Sequence, residues 1–276
     1  MTVGRRLSPG EALLWAVGAV WLLWSCSALL TALLPGGMQI AALAAAEVVA
    51  LLIAVFLVVR IYAPEERLSA ALAIRPADVP LVGLGLALGV VVHLPSAALR
   101  VLMESWLPTP PSELLQRGVL LSGDRAGGLL TLLVATACVV PLVEELLVRG
   151  ALFGGLVRSS SRTVAIGVTA LCFVVLHLMQ WRNAPMLLLT GAVLGFLRGL
   201  TGSILPSLAM HAAFNATTVL ALGLGWTSAE VIWRPASSLV LVGVAAMLGL
   251  VWSAWWLAER SAVARAGRAS DGGEWA

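Results

Sequence analysis

The sequence predicts an all-α, polytopic membrane protein: a single bundle of about eight transmembrane helices. Three observations predict it. Hydrophobic residues fill 60% of the 276 positions and charged residues only 11%, against about a quarter charged in a soluble domain. Several stretches of roughly 18 or more residues carry almost no charge, each long enough to cross a bilayer core of about 30 Å as a helix. The arginines, finally, gather on one side of the topology those stretches define. A soluble core cannot absorb that many continuous apolar runs.

Spanning helices are expected at about 12–34, 39–61, 81–103, 127–157, 163–181, 185–199, 203–225 and 238–258. The first could pass for a signal peptide, since Arg5-Arg6 precedes the apolar run. That run continues from Ala12 to Leu34 without a convincing cleavage site, so it reads as a span. Turn residues and charge separate the rest: Pro35-Gly36-Gly37, the charged Pro64–Pro80 segment, and the polar 104–126 loop with its Pro108–Pro111 cluster. The Arg158–Arg162 serine run, Arg182–Pro185, Arg198–Gly202 and Trp226–Pro235 complete the breaks. Residues 65–66 lie in a loop with a weak interfacial-helix pattern. Residues 1–260 form one domain without internal repeats, and the small, polar tail 261–276 is expected to be disordered.

Arginine placement tests the count. With a cytoplasmic N-terminus, one side collects Arg5, Arg6, Arg60, Arg67, Arg75, Arg158, Arg162, Arg198, Arg260, Arg265 and Arg268. The other collects Arg117, Arg125, Arg182 and Arg234. Eleven against four fits the positive-inside rule and puts both termini in the cytoplasm. All 17 basic residues are arginine, which with the heavy use of Ala, Leu, Gly and Val suggests a GC-rich bacterial genome, hence a bacterial inner membrane. The net charge of +3 shows no arginine cluster with interleaved aromatics, so nucleic acid is not an expected partner. Cys26, Cys138 and Cys172 sit in apolar segments at no metal-ligand spacing and read as small core residues.

Ionisable residues inside a membrane cost a few kcal/mol each by insertion scales, so each is a functional hypothesis. The spans hold Glu47, His93, Arg100, Glu144, Glu145, Arg149, His177 and His211, with Asn215 as a polar companion. Glu145 and Arg149, four apart, can pair on one helix face. Glu144 is turned about 100° from Glu145 and lacks that partner. A carboxylate without a local partner is what general-base chemistry uses. Pro141, one turn earlier, is expected to loosen the helix and admit water. Phe173 and His177 share a face, as do His211 and Asn215. Glu144 lies 14 residues from Arg158, His177 lies 15 from Arg162, and His211 lies 13 from Arg198. At about 1.5 Å per residue these give roughly 21, 22 and 20 Å, one level of the membrane.

Plainer readings compete. A membrane Glu–Arg pair is more often structural than chemical, and this is the reading taken for Glu145 and Arg149. For His93 an interhelical hydrogen bond is favoured, for Arg100 snorkelling toward the outer interface, and for Glu47 a hydrogen bond across a helix contact. His177 and His211 would be even choices singly. Joined with Glu144 and Asn215 at one depth, they favour a site.

Glu144-Glu145-x-x-x-Arg149, Phe173-x-x-x-His177 and His211-x-x-x-Asn215, in this order on three apolar segments, resemble the CPBP family of intramembrane proteases. That family includes the CAAX prenyl endopeptidases of the Rce1 type and bacterial relatives, some linked to bacteriocin immunity. Arg149-Gly150-Ala-Leu-Phe and the stretch from Thr201-Gly202-Ser203 to His211 are similar too, and the matching core is about 127–222. The resemblance implies an eight-helix bundle that hydrolyses a peptide bond in or near the membrane. Residue by residue, it implies that Glu144 activates water with His177 assisting, that His211 and Asn215 stabilise the oxyanion, and that Glu145, Arg149 and Phe173 support them.

Two histidines and a glutamate could also form a catalytic zinc site of Glu144, His177 and His211. With no HExxH motif, the reading without a cofactor is preferred, since base and oxyanion donor then have natural roles. Expected partners are the lipid bilayer and a membrane-embedded or lipid-modified peptide or protein, processed as a CAAX-type tail, a bacteriocin or signalling peptide, or a C-terminal sorting tag. Two rivals stand beside this: a non-enzymatic transport or immunity protein using the same polar cluster, and a scaffold in which the glutamates only join helices. Common transporter folds show paired repeats with broken helices, and none is seen in the sequence.

Overall fold

The computed structural model describes residues 5–34, 38–115, 128–228 and 231–271. The Pro35–Gly37 break, Arg117 and Arg125 lie outside them. The protein is an all-α, multi-pass bundle. α1 (Pro9–Leu33) opens on a capping box: the Ser8 hydroxyl accepts from the Glu11 N–H at 3.3 Å while the Glu11 carboxylate accepts from the Ser8 N–H at 2.8 Å. α2 (Gln39–Tyr62) and the single turn α3 (Leu68–Ala71) follow, then α4 (Val79–Val91) and α5 (His93–Trp106). α6 is a composite helix over Gly128–Leu156, and α7 is Arg162–Leu176. α8 (Ala184–Thr201), α9 (Leu205–Gly223) and α10 (Ser237–Asp271) complete the chain. α10 runs past Arg260, where composition alone suggested a disordered tail.

Among the described residues seven spans meet the length and hydropathy of a membrane crossing: α1, α2, α4 with α5, α6, α8 with the turn before it, α9 and α10. α7, with 15 residues, is shorter, yet it joins opposite ends of the bundle. At one end the Ser159 hydroxyl donates to Leu7 O, Arg158 pairs with Glu66, and the Ser203 hydroxyl donates to Arg75 O. At the other, Arg182 pairs with Glu113 at 2.6 Å and Arg100 reaches Thr109. α7 leaves from Arg162 at the first end and delivers the chain to Arg182 at the second. The eight expected crossings therefore each have a counterpart.

Close packing rests on glycine. In lipid, helix association comes from van der Waals contact, which small residues at i, i+4 bring to backbone distance. Gly85 and Gly89 of α4 lie on α9: a Cβ at Gly89 would stand 2.3 Å from Met210 O and 2.7 Å from Ala213 Cβ. Gly191 and Gly195 of α8 lie on α7, where added methyls would reach the Cα atoms of Ala170 and Ile166 at 3.1 and 3.4 Å. Two apolar clusters result. One joins α1, α2, α6 and α7; the other joins α4, α8, α9 and α10. α7 serves both, Cys172 in the first and Phe173 in the second. The polar residues gather at that seam.

Candidate active site

α6 is wound wide on both sides of its glutamates. Val134–Val139 and Leu146–Leu152 are π-helical, with regular α-helix over Val140–Glu145 between them. The first wide turn has a local cause. Val140 N–H bonds to Ala135 O, five residues back. In that register the next carbonyl, Thr136 O, would need Pro141, which has no N–H. Asn215 of α9 supplies the missing donor, its side-chain amide giving a 2.7 Å hydrogen bond to Thr136 O. Pro141 thus loosens α6 by widening it, and α9 fastens the freed carbonyl. Wide turns of this kind concentrate at functional sites.

The pair Glu145–Arg149 is wholly buried, at 0% exposure for both side chains, with Nη1 to Oε1 at 2.9 Å. Arg149 Nη2 donates to Gly191 O at 3.1 Å, where the absent side chain lets α8 come close. Its guanidinium lies 4.8 Å from the Phe173 ring centre. The same ring stands 4.6 Å from the His177 imidazole and 5.5 Å, edge-on, from His211. Phe173 is the apolar wall that this group shares.

Glu144 points away from the pair and lies between the two imidazoles. His177 Nε2 is 3.6 Å from Oε1 and His211 Nε2 is 3.4 Å from Oε2. Each ring is held by its other nitrogen. His177 Nδ1 lies 2.9 Å from Phe173 O, so that nitrogen carries a hydrogen and Nε2 is the one turned toward Glu144. His211 Nδ1 lies 3.2 Å from Glu145 Oε1, so the structural ion pair also orients an imidazole. The buried Oε2 of Glu144 receives no hydrogen bond from a backbone N–H, hydroxyl or amide among the described residues.

The structure thus brings Glu144, His177 and His211 together, with Glu145, Arg149 and Phe173 packed around them. Asn215 stands one turn beyond His211, one amide hydrogen already on Thr136 O. His177 does not sit inside a helix over 163–181: α7 stops at Leu176, His177 is its C-cap, and residues 178–183 form a tight 3₁₀ turn with a non-helical break at Gln180. His93 bridges helices, with Nε2 3.0 Å from the Thr218 hydroxyl and its ring stacked 4.0 Å from Phe214. Arg100 does not snorkel. It is 8% exposed, pairs with Glu104 at 3.3 Å and donates to the Thr109 hydroxyl at 2.6 Å.

Glu47 of α2 lies near enough to Glu144 and to both imidazoles to interact with them electrostatically. The available signal was the same as for Glu144, an intramembrane carboxyl with no i±3 or i±4 partner, beside three alanines, Ala44–Ala46, that let another helix approach. Among the described residues no group of three or more His, Cys, Asp or Glu side chains is recognised as a metal site.

Residues 126–217 match the family model of the Rce1-like type II CAAX prenyl endopeptidases. That third of the chain carries all three motifs, and the family resemblance is borne out there. No curated protein and no solved structure matches the chain.

Proposed function

We propose that this multi-pass membrane protein is an endopeptidase that cleaves a membrane-anchored or lipid-modified peptide, with Glu144 as the base that activates water. The Rce1-like match supports CAAX-type intramembrane proteolysis in general. The observation that carries the assignment of residues is the position of Glu144 between two imidazole nitrogens at 3.6 and 3.4 Å, apart from the salt bridge beside it. Glu144 takes a proton from water as its oxygen attacks the scissile carbonyl carbon. The second amide hydrogen of Asn215 donates to the developing oxyanion, with His211, held by Glu145, stabilising it beside Asn215; such a donor is worth about 3–4 kcal/mol. His177 orients the water through its Nε2 lone pair. When the C–N bond breaks, the proton held by Glu144 passes to the leaving amine.

The arginine distribution supports cytoplasmic termini in a bacterial inner membrane. In the structure α1 begins at the end that holds Arg75, Arg158 and Ser203. α10 returns there, Gly243 packing on Leu94 of α5 while Ala258 shares an apolar cluster with Leu81.

The test is cleavage of quenched-fluorescence, membrane-anchored peptides by the purified protein in detergent. Glu144→Gln is expected to lower turnover by at least about 10²-fold while the protein stays folded, and a strong zinc chelator is expected to leave the wild type active. Wild-type turnover in Glu144→Gln would remove the assigned base. Loss under chelation alone would transfer activation of the water to a metal.

A further inference from the structure

Arginines gather at the end of the bundle where α1 begins, and only some of them are paired. Arg5 meets Glu11 and Arg158 meets Glu66. Arg75, Arg162 and Arg198 meet no carboxylate among the described residues.

Arg198 is the buried one. It stands in the last turn of α8 and is 7% exposed. Its Nε donates to Arg149 O at 2.9 Å, and its guanidinium lies 5.0 Å from the centre of the Phe153 ring. Those contacts use one of five N–H donors and one face of the plane. Both Nη groups are left without an acceptor among the described residues. A cation buried at a membrane end is costly until an anion meets it.

Packing brings a second arginine beside it. A methyl on Gly199, the next residue, would stand 3.1 Å from Cγ and Cδ of Arg162 and 3.3 Å from Cζ of Phe153. The Arg162 stem and the Phe153 ring therefore meet over Gly199, and Arg162 is exposed. The exposed Arg75 is tied to the turn that follows α8: the Ser203 hydroxyl donates to Arg75 O at 2.6 Å and the Ile204 N–H to Ala73 O at 3.2 Å.

A phosphate suits this arrangement. Arginine forks grip phosphate oxygens two at a time, and basic pockets between spanning helices take lipid head groups. A phosphate on a soluble molecule has the same chemistry. Arg198 lies in the final turn of the span Leu178–Thr201, the level at which head groups begin, which favours the lipid. We infer that the corner of α6, α7 and α8 at Phe153, Arg162 and Arg198 binds the phosphate of an anionic lipid head group, with Arg75 at its rim. Because Arg198 also holds Arg149 O, the lipid sits one hydrogen bond from the residue that pairs with Glu145.

The experiment follows the unfolding temperature of the purified protein in detergent as short-chain phosphatidylglycerol, short-chain phosphatidylcholine or inorganic phosphate is added. Phosphatidylglycerol is expected to raise it to a plateau, while the other two leave it near its starting value. The half-saturating phosphatidylglycerol concentration is expected to rise about fivefold in Arg162→Gln, the worth of one arginine at an anionic head group. In Arg198→Gln, which loses the buried fork, it is expected to rise at least about tenfold. Arg158→Gln, at the same end but already paired, is expected to stay within about twofold of wild type. If Arg198→Gln does not fold, the exposed Arg162→Gln decides. Unchanged half-saturation in Arg162→Gln, an equal loss in Arg158→Gln, or an equal response to phosphatidylcholine would overturn the site. A shift with inorganic phosphate as large as with phosphatidylglycerol would overturn the lipid as its ligand and assign the corner to soluble phosphate.

Discussion

Among the described residues two arginine–glutamate groups are wholly or partly buried, and they are composed differently. At the end reached by α5 and α7, Arg100 and Arg182 meet Glu104 and Glu113, two cations to two anions among the described residues. The Thr109 N–H and hydroxyl sit on Glu104 at 2.6 and 2.7 Å. At the seam between the two apolar clusters, Arg149 pairs with Glu145, and Glu144 stands beside that pair between two imidazoles. The balanced group ties the 109–115 segment and the 178–183 turn to α5. The unbalanced group holds more acid than its one arginine can neutralise. Surplus buried acid is costly in lipid and does nothing for helix packing. Where it persists beside histidines, proton transfer is what it is suited to.

Arg149→Leu should produce the larger loss of stability. It would leave Glu145 uncompensated at 0% exposure, and removing one partner of a buried pair costs about 3–5 kcal/mol. The comparison breaks if detergent unfolding shows Arg149→Leu no less stable than the matching change in the balanced group.

That change is Arg100→Met, expected to cost about 1.5–3 kcal/mol, the range of a hydrogen bond to a charged group. Glu104 would keep both Thr109 contacts, and the change lies away from Glu144, so peptide turnover should follow only the fraction folded. A specific fall in kcat would show that the two groups are coupled.

The helices and the Glu145–Arg149 pair were legible in the sequence, because hydropathy measures insertion directly and an i,i+4 ion pair is local. Depth, counted in residues from flanking arginines, also brought Glu144, His177 and His211 to one level. Facing was harder. Periodicity gives a residue's azimuth on its own helix but not which helix lies opposite, so the seating of Glu144 between His177 and His211 could not be read. The end of α7 at Leu176 was hidden because Leu178, Met179 and Trp181 continue the apolar run while the backbone turns tightly. The wide turns of α6 carried one signal, Pro141, and its consequence at Thr136 O became visible only once α9 was in place.

Asn215 is the residue on which the balance of structure and chemistry is finest, and it yields the smallest expected effect on stability. Its amide completes the hydrogen bonding of Thr136 O at 2.7 Å, a debt left by Pro141, so Asn215→Ala should cost about 0.5–1.5 kcal/mol by the ordinary worth of one hydrogen bond. If fastening α6 is all that Asn215 does, kcat should fall no further than the loss of folded protein explains. If its second amide hydrogen also reaches the oxyanion, kcat should drop by about 10²–10³-fold with KM little changed, as for a lost oxyanion donor. Pro141→Ala separates the two. Restoring an N–H at 141 gives Thr136 O a backbone donor, so stability lost in Asn215→Ala should return in the double variant, while kcat lost at the oxyanion should not.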